Sequence, residues 1–157
     1  MAKPWKTKNL NPTGTLSSNV AKVMRTKYQE MFHYLKGCKE GNADAIHDMR
    51  VASRRLITLL EVFKCVFSPR EYTIYHKHVR MTVKALGKVR DYDVLLDMLR
   101  KDRKGLTRSE RMVVNVEIRR LEKRRTRRMT DLKKQLTHVK KMRATKGFNA
   151  FLKKDRP

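Results

Sequence analysis

The chain has 157 residues, with 40 Lys and Arg against 15 Asp and Glu, a formal net charge of +25 and a pI near 10.6. That length suits one domain with a real core, and the 39 % of hydrophobic residues recur at helical spacing, which excludes a disordered chain. The charge calls for a polyanionic partner, and no apolar run approaches the roughly 18 residues of a membrane span.

Residues 1–15, with Pro4, Trp5, Pro12 and Gly14, read as an irregular basic arm. They lack the apolar stretch of a signal peptide. Residues 16–157 read as a single helical domain. Ser17 or Ser18 is placed to cap a first helix reaching about Lys36, with Val20, Met24, Tyr28, Met31 and Leu35 as its apolar stripe. Gly37, Gly41 and Asn42 suit a turn. A second helix is predicted over residues 43–67, and Ser68-Pro69 stops it and opens a third. The third carries Tyr72, Tyr75, Val79, Val83 and Leu86. Gly87 weakens it, and Asp91 reads as the N-cap of a separate short helix, Tyr92 to Leu99, with Asp93 complementing its dipole. After Gly105 a fourth long helix is predicted from Thr107 to about Leu136, with Ser109 near its start. Val114, Ile118, Leu121, Leu132 and Leu136 form its stripe, interrupted by Arg125 and Arg128. A weaker stretch from Val139 to Leu152 is broken by Gly147. No strand-like alternation is present, so the fold class is all-α: an antiparallel bundle of four to five helices with a basic groove.

Cys38 and Cys65 end the first and second predicted helices. In an antiparallel hairpin those ends lie about 30 Å apart. That argues against a disulfide and fits a reducing, cytoplasmic setting.

The second helix carries the strongest chemical signal. At 100° per residue, His47, Arg50 and Arg54 fall within about 60° of one another and form a column, with Arg55 beside it. Arginine suits phosphate because its planar fork donates paired hydrogen bonds and stays charged when buried. His47 adds a donor that strengthens on protonation. The third helix adds a basic stripe, in which Arg80 and Lys84 are best placed. Arg90 sits at the predicted bend beyond Gly87. On the fourth helix Arg120, Arg124 and Arg127 share a face, which suits either a groove wall or a nonspecific nucleic-acid patch.

Catalytic sets are poor. The sequence has no Gly-rich phosphate loop, no paired cysteines at metal spacing and no nucleophile–base–orienter set. A metal site from His47, Asp91 and Asp93 is the weaker reading beside caps and dipoles. The five tyrosines form no ladder for stacking bases. The expectation is a binding protein rather than an enzyme, with no cofactor and no metal.

Two motifs, His47-x-x-Arg50-Val51-x-x-Arg54-Arg55-Leu56 and Leu86-Gly87-x-x-Arg90-Asp91-x-Asp93-Val94, resemble the CHAD family, the conserved histidine α-helical domain. The ending Phe148-x-x-Phe151-Leu152 is similar as well. The match is specific over about residues 43–100. The resemblance implies a helical polyphosphate-binding module associated with polyphosphate granules. It also implies a pair of pseudo-symmetric bundles around a basic channel. Ile57 stands where the family often has another arginine. No second His-x-x-Arg with a following basic helix comes after Asp93, so the chain resembles the family's first half. A homodimer is therefore expected to complete a two-walled channel, with a monomer bearing an open groove as the alternative. The partner so implied is inorganic polyphosphate, with general RNA or DNA binding as the alternative.

Overall fold

A computed structural model describes residues 3–143 and Ala150. Five α-helices follow in order among them: α1 (Leu16–His33), α2 (Leu35–Glu40), α3 (Ala43–Val62), α4 (Pro69–Asp102) and α5 (Arg108–Arg143). Short 3-10 turns, Lys64–Val66 and Arg103–Gly105, follow α3 and α4. The described residues contain no strand, so the fold is all-α.

The helix ends show how local chemistry sets the boundaries. Thr15, not Ser17 or Ser18, caps α1: its backbone is extended, and its hydroxyl accepts from the Ser18 amide at 3.2 Å. The first helix then breaks at Tyr34 and resumes as α2, so Gly37 lies inside a helix rather than in the turn. Its missing side chain lets α2 approach α3, because a Cβ there would meet the Ala45 Cβ at 2.7 Å. Gly41 ends α2 at φ 83°, the left-handed conformation that glycine adopts without strain. Asn42 then caps α3, accepting from the Ala45 amide at 2.8 Å.

Helix α3 stops at Val62, five residues before the predicted end. Phe67 is extended by Ser68-Pro69, which starts α4 as expected. Glu71 completes a reciprocal capping box with Ser68. At the start of α5, Thr107 and Glu110 cap each other, and Ser109 lies inside the first turn. The two Thr107 hydrogen bonds hold the Glu110 carboxyl below the usual range. Helix α5 continues past Leu136 and Val139 to Arg143. The rest of the predicted Val139–Leu152 stretch, apart from Ala150, lies outside the described residues.

Helix α4 corrects the largest expectation. It runs unbroken for 34 residues through Gly87, and Asp91 is neither a cap nor a helix start. The buried stripe explains this, because Leu86, Val89 and Leu96 continue one apolar face across the glycine. A helical Gly costs about 1 kcal/mol, whereas each buried Leu or Val contributes about 1.5–3 kcal/mol.

Helix α3 packs between α1 and α4, and α5 lies against α4. One core joins Val20, Met24, Met31, Met49, Leu56, Leu86, Leu132 and Leu136. The α3–α4 pair is antiparallel, with Glu61 and His76 in contact at 3.1 Å near the turn. The α4–α5 pair is antiparallel too, held by contacts such as Arg125–Asp93 and Arg100–Glu122. Both are longer than α3, so their connected ends run past it as a two-helix hairpin. That hairpin has its own small core of Leu96, Ile118 and Leu121. On the far side, the N-terminal arm lies along α1, where the Trp5 amide donates to buried Glu30 at 3.2 Å.

Toward the start of α4 and the end of α5, the His78 and His138 rings approach to 4.9 Å between centroids. Burial, then His138 and Lys77, push the His78 pKa below its ordinary value near 6.5. Folded His78 therefore stays neutral where the unfolded chain already takes up a proton. Stability is full above about pH 6.5 and falls as pH drops through the folded pKa. Urea midpoints measured from pH 8 to 5 should show this decline, and His78→Gln should flatten it. An equal slope in the variant would remove His78 as its source.

Candidate functional site

The register of α3 against α4 builds the site. Glu61 meets His76 near the turn, and further along the Arg50 Nε lies 3.7 Å from where a Gly87 Cβ would be. Between antiparallel helices of equal rise, these contacts set His47 opposite Arg90 and Arg54 opposite Val83 and Lys84. On α4, Arg80, Lys84, Gly87 and Asp91 fall within about 60° of arc. The column His47, Arg50 and Arg54 and the residues Arg80 and Lys84 therefore flank one α3–α4 groove, with Asp91 on the same arc of α4, while Arg90 lies about 80° round the helix from Arg80 and stands level with His47.

Arg54, Arg80 and Lys84 are exposed, and His47, Arg50 and Arg90 are half-buried. None of the six forms an ion pair with another described residue, whereas cations elsewhere do. Arg50 stands out, because its Nε is buried and has no hydrogen-bond partner among the described residues. A buried guanidinium N–H without an acceptor costs about 1–3 kcal/mol or more. An oxyanion in the groove would remove that cost.

Gly87 sits under Arg50, but its backbone is ordinary helix, and a Cβ at 3.7 Å would make only van der Waals contact. Gly87→Ala is expected to stabilise the chain by about 0.5–1 kcal/mol through helix propensity. A thermal melt that shifts downward would show that Arg50 needs the space.

The remaining predicted residues lie elsewhere. Arg55 projects from the opposite flank of α3, toward α1, and pairs with buried Glu30 at 3.2 Å. Its neighbour Arg54 points into solvent, because adjacent helical residues diverge by 100°. Arg120, Arg124 and Arg127 are all exposed on α5. Arg120 contacts Glu117 at 3.5 Å. Arg124 lines a separate α4–α5 cleft with Lys88, Asp91, Tyr92 and Arg128.

Arg90 also lines a neighbouring cleft of about 580 Å³ at the start of α3, with Asp44, Asp93, Asp97, Arg100 and Arg125. There Arg125 donates from Nε to Asp93 and from Nη2 to the Gly41 carbonyl at 2.9 Å. It ties α5 to α4 and to the turn before α3. Its place in the apolar stripe of the sequence was the available sign of this inward role. Asp93, expected to complement a helix dipole, is instead the partner of Arg125. Among the described residues, no group of three or more His, Cys, Asp or Glu converges as metal ligands. No described helix is long and apolar enough to cross a membrane.

Compared with known proteins, residues 22–157 match the model of the CHAD domain. No curated protein and no solved structure matches the chain.

Proposed function

Since the chain belongs to the CHAD family, we propose that it binds inorganic polyphosphate in the α3–α4 groove, through His47, Arg50, Arg54, Arg80, Lys84 and Arg90. CHAD domains as a class bind polyphosphate. The observation that carries the reading for this chain is the buried Arg50 Nε, without a partner among the described residues, within a basic column that forms no ion pair among them. Polyphosphate is a chain of anions without bases. Donors one helical turn apart suit its closely spaced phosphates, and no aromatic platform is required. The role is binding rather than turnover, with no cofactor. The setting is the cytoplasm, in association with polyphosphate granules. A second wall for the groove would come from a second copy of the chain.

The exposed row Arg120, Arg124 and Arg127 favours a second reading, general RNA or DNA binding through α5. Competition at about 150 mM salt separates the two. Labelled long-chain polyphosphate is challenged with duplex DNA, single-stranded RNA and free phosphate. Polyphosphate should outcompete each by roughly tenfold or more. Equal competition by nucleic acid, abolished on changing Arg120, Arg124 and Arg127 but not Arg50, would favour the second reading.

A further inference from the structure

The hairpin formed by the end of α4 and the start of α5 carries an uncovered apolar surface. Val94, Leu95 and Met98 on α4 and Met112, Val113 and Val116 on α5 are each between 41 % and 72 % exposed. Each trio falls within about 100° of its helix. The hairpin's inner faces already hold Leu96, Ile118 and Leu121, and Leu95, Met98, Val113 and Val116 lie on a different side of each helix, whereas Val94 lines the cleft at the start of α3 beside Asp44 and Arg90. A two-helix hairpin buries only one stripe per helix, and helical layers of this kind are completed by further helices.

Charge indicates what covers it. Residues 92–122 contain eight Lys and Arg against six Asp and Glu, a net +2, in a chain whose total is +25. Several of these charges neutralise one another within the hairpin, as in Arg100–Glu122, Lys101–Asp97 and Arg120–Glu117. Two copies of so basic a chain repel one another over most of their surface, but this near-neutral segment is where they can meet. Four large side chains at such exposure make a patch on the order of 400 Å², the size of the functional patches found on monomers. It supplies about half of the roughly 800 Å² per partner of a standard interface, and its polar rim the remainder.

We propose that the hairpin is a self-association surface. Two copies join hairpin to hairpin about a two-fold axis and complete a four-helix bundle around Leu95, Met98, Val113 and Val116. This inference does not rest on polyphosphate binding, and its test contains no polyphosphate.

Sedimentation equilibrium of the full chain, from about 1 to 100 μM at roughly 300 mM salt to screen the net charge, should show a dimer. Met98→Lys/Val113→Lys should weaken association by roughly tenfold or more, with helix content by circular dichroism unchanged. Should that pair unfold the chain, Met98→Gln/Val113→Thr gives the milder comparison. Val62→Lys, at an exposed site near the opposite end of the bundle, should leave the dimer intact. A wild type that is monomeric throughout overturns the proposal. So does a dimer that survives both hairpin variants, or one disrupted equally by Val62→Lys.

Discussion

Arg50→Met is expected to weaken polyphosphate binding by about tenfold or more while leaving the empty protein as stable as before, or more so. The two effects share one cause. The Arg50 Nε is buried without a hydrogen-bond partner among the described residues, so the unliganded fold carries a desolvation cost that methionine, of similar reach, would not. In the proposed complex the same group would donate to a phosphate oxygen, and a hydrogen bond between charged groups contributes about 1.5–3 kcal/mol. Adding Arg54→Ala removes a second cation, and the dependence of log affinity on log salt should become shallower by about 0.7–0.9 for each phosphate no longer neutralised. Binding isotherms at several salt concentrations and urea unfolding without ligand measure both halves. A variant that binds normally but unfolds more easily would make Arg50 a structural residue and leave the groove without its anchor.

Glu30→Ala should produce the opposite pattern, with a loss of about 3–5 kcal/mol in folding free energy and unchanged affinity per folded molecule. Glu30 is fully buried and collects three donors: Lys27 at 2.9 Å, Arg55 at 3.2 Å and the Trp5 amide at 3.2 Å. One carboxylate thus joins the arm, α1 and α3. Removing it leaves Lys27, whose side chain is only 12 % exposed, without its counter-ion. Glu30→Gln retains the acceptor oxygen and should lose less. Equilibrium unfolding in urea, beside polyphosphate binding at a temperature where the variant is folded, separates the roles of Arg55 and Arg54. A large drop in affinity for Glu30→Ala would return Arg55 to the binding groove.

The contrast between Arg54 and Arg55 shows where sequence reading succeeds and where it stops. The column His47, Arg50 and Arg54 follows from helical period alone, and the α3–α4 register keeps it on one flank. Adjacency groups Arg55 with that column, yet its direction is set by Glu30, 25 positions away, which no local pattern reveals. The same holds for Arg125 and Asp93, 32 positions apart. Helix ends set by short-range chemistry, such as Ser68-Pro69 and Gly41, are legible in the sequence. The continuity of α4 through Gly87 is not, because it depends on what the helix packs against.

That continuity has a mechanical meaning. At 1.5 Å per residue, the 34 residues of α4 form a beam of about 51 Å. Arg80 and Lys84 sit on one half, and Val94 and Met98 on the other. No hinge interrupts the span, so a tilt imposed at either end is carried to the other as rigid-body rotation. Events at the groove and at the hairpin tip are therefore levered through a single shaft.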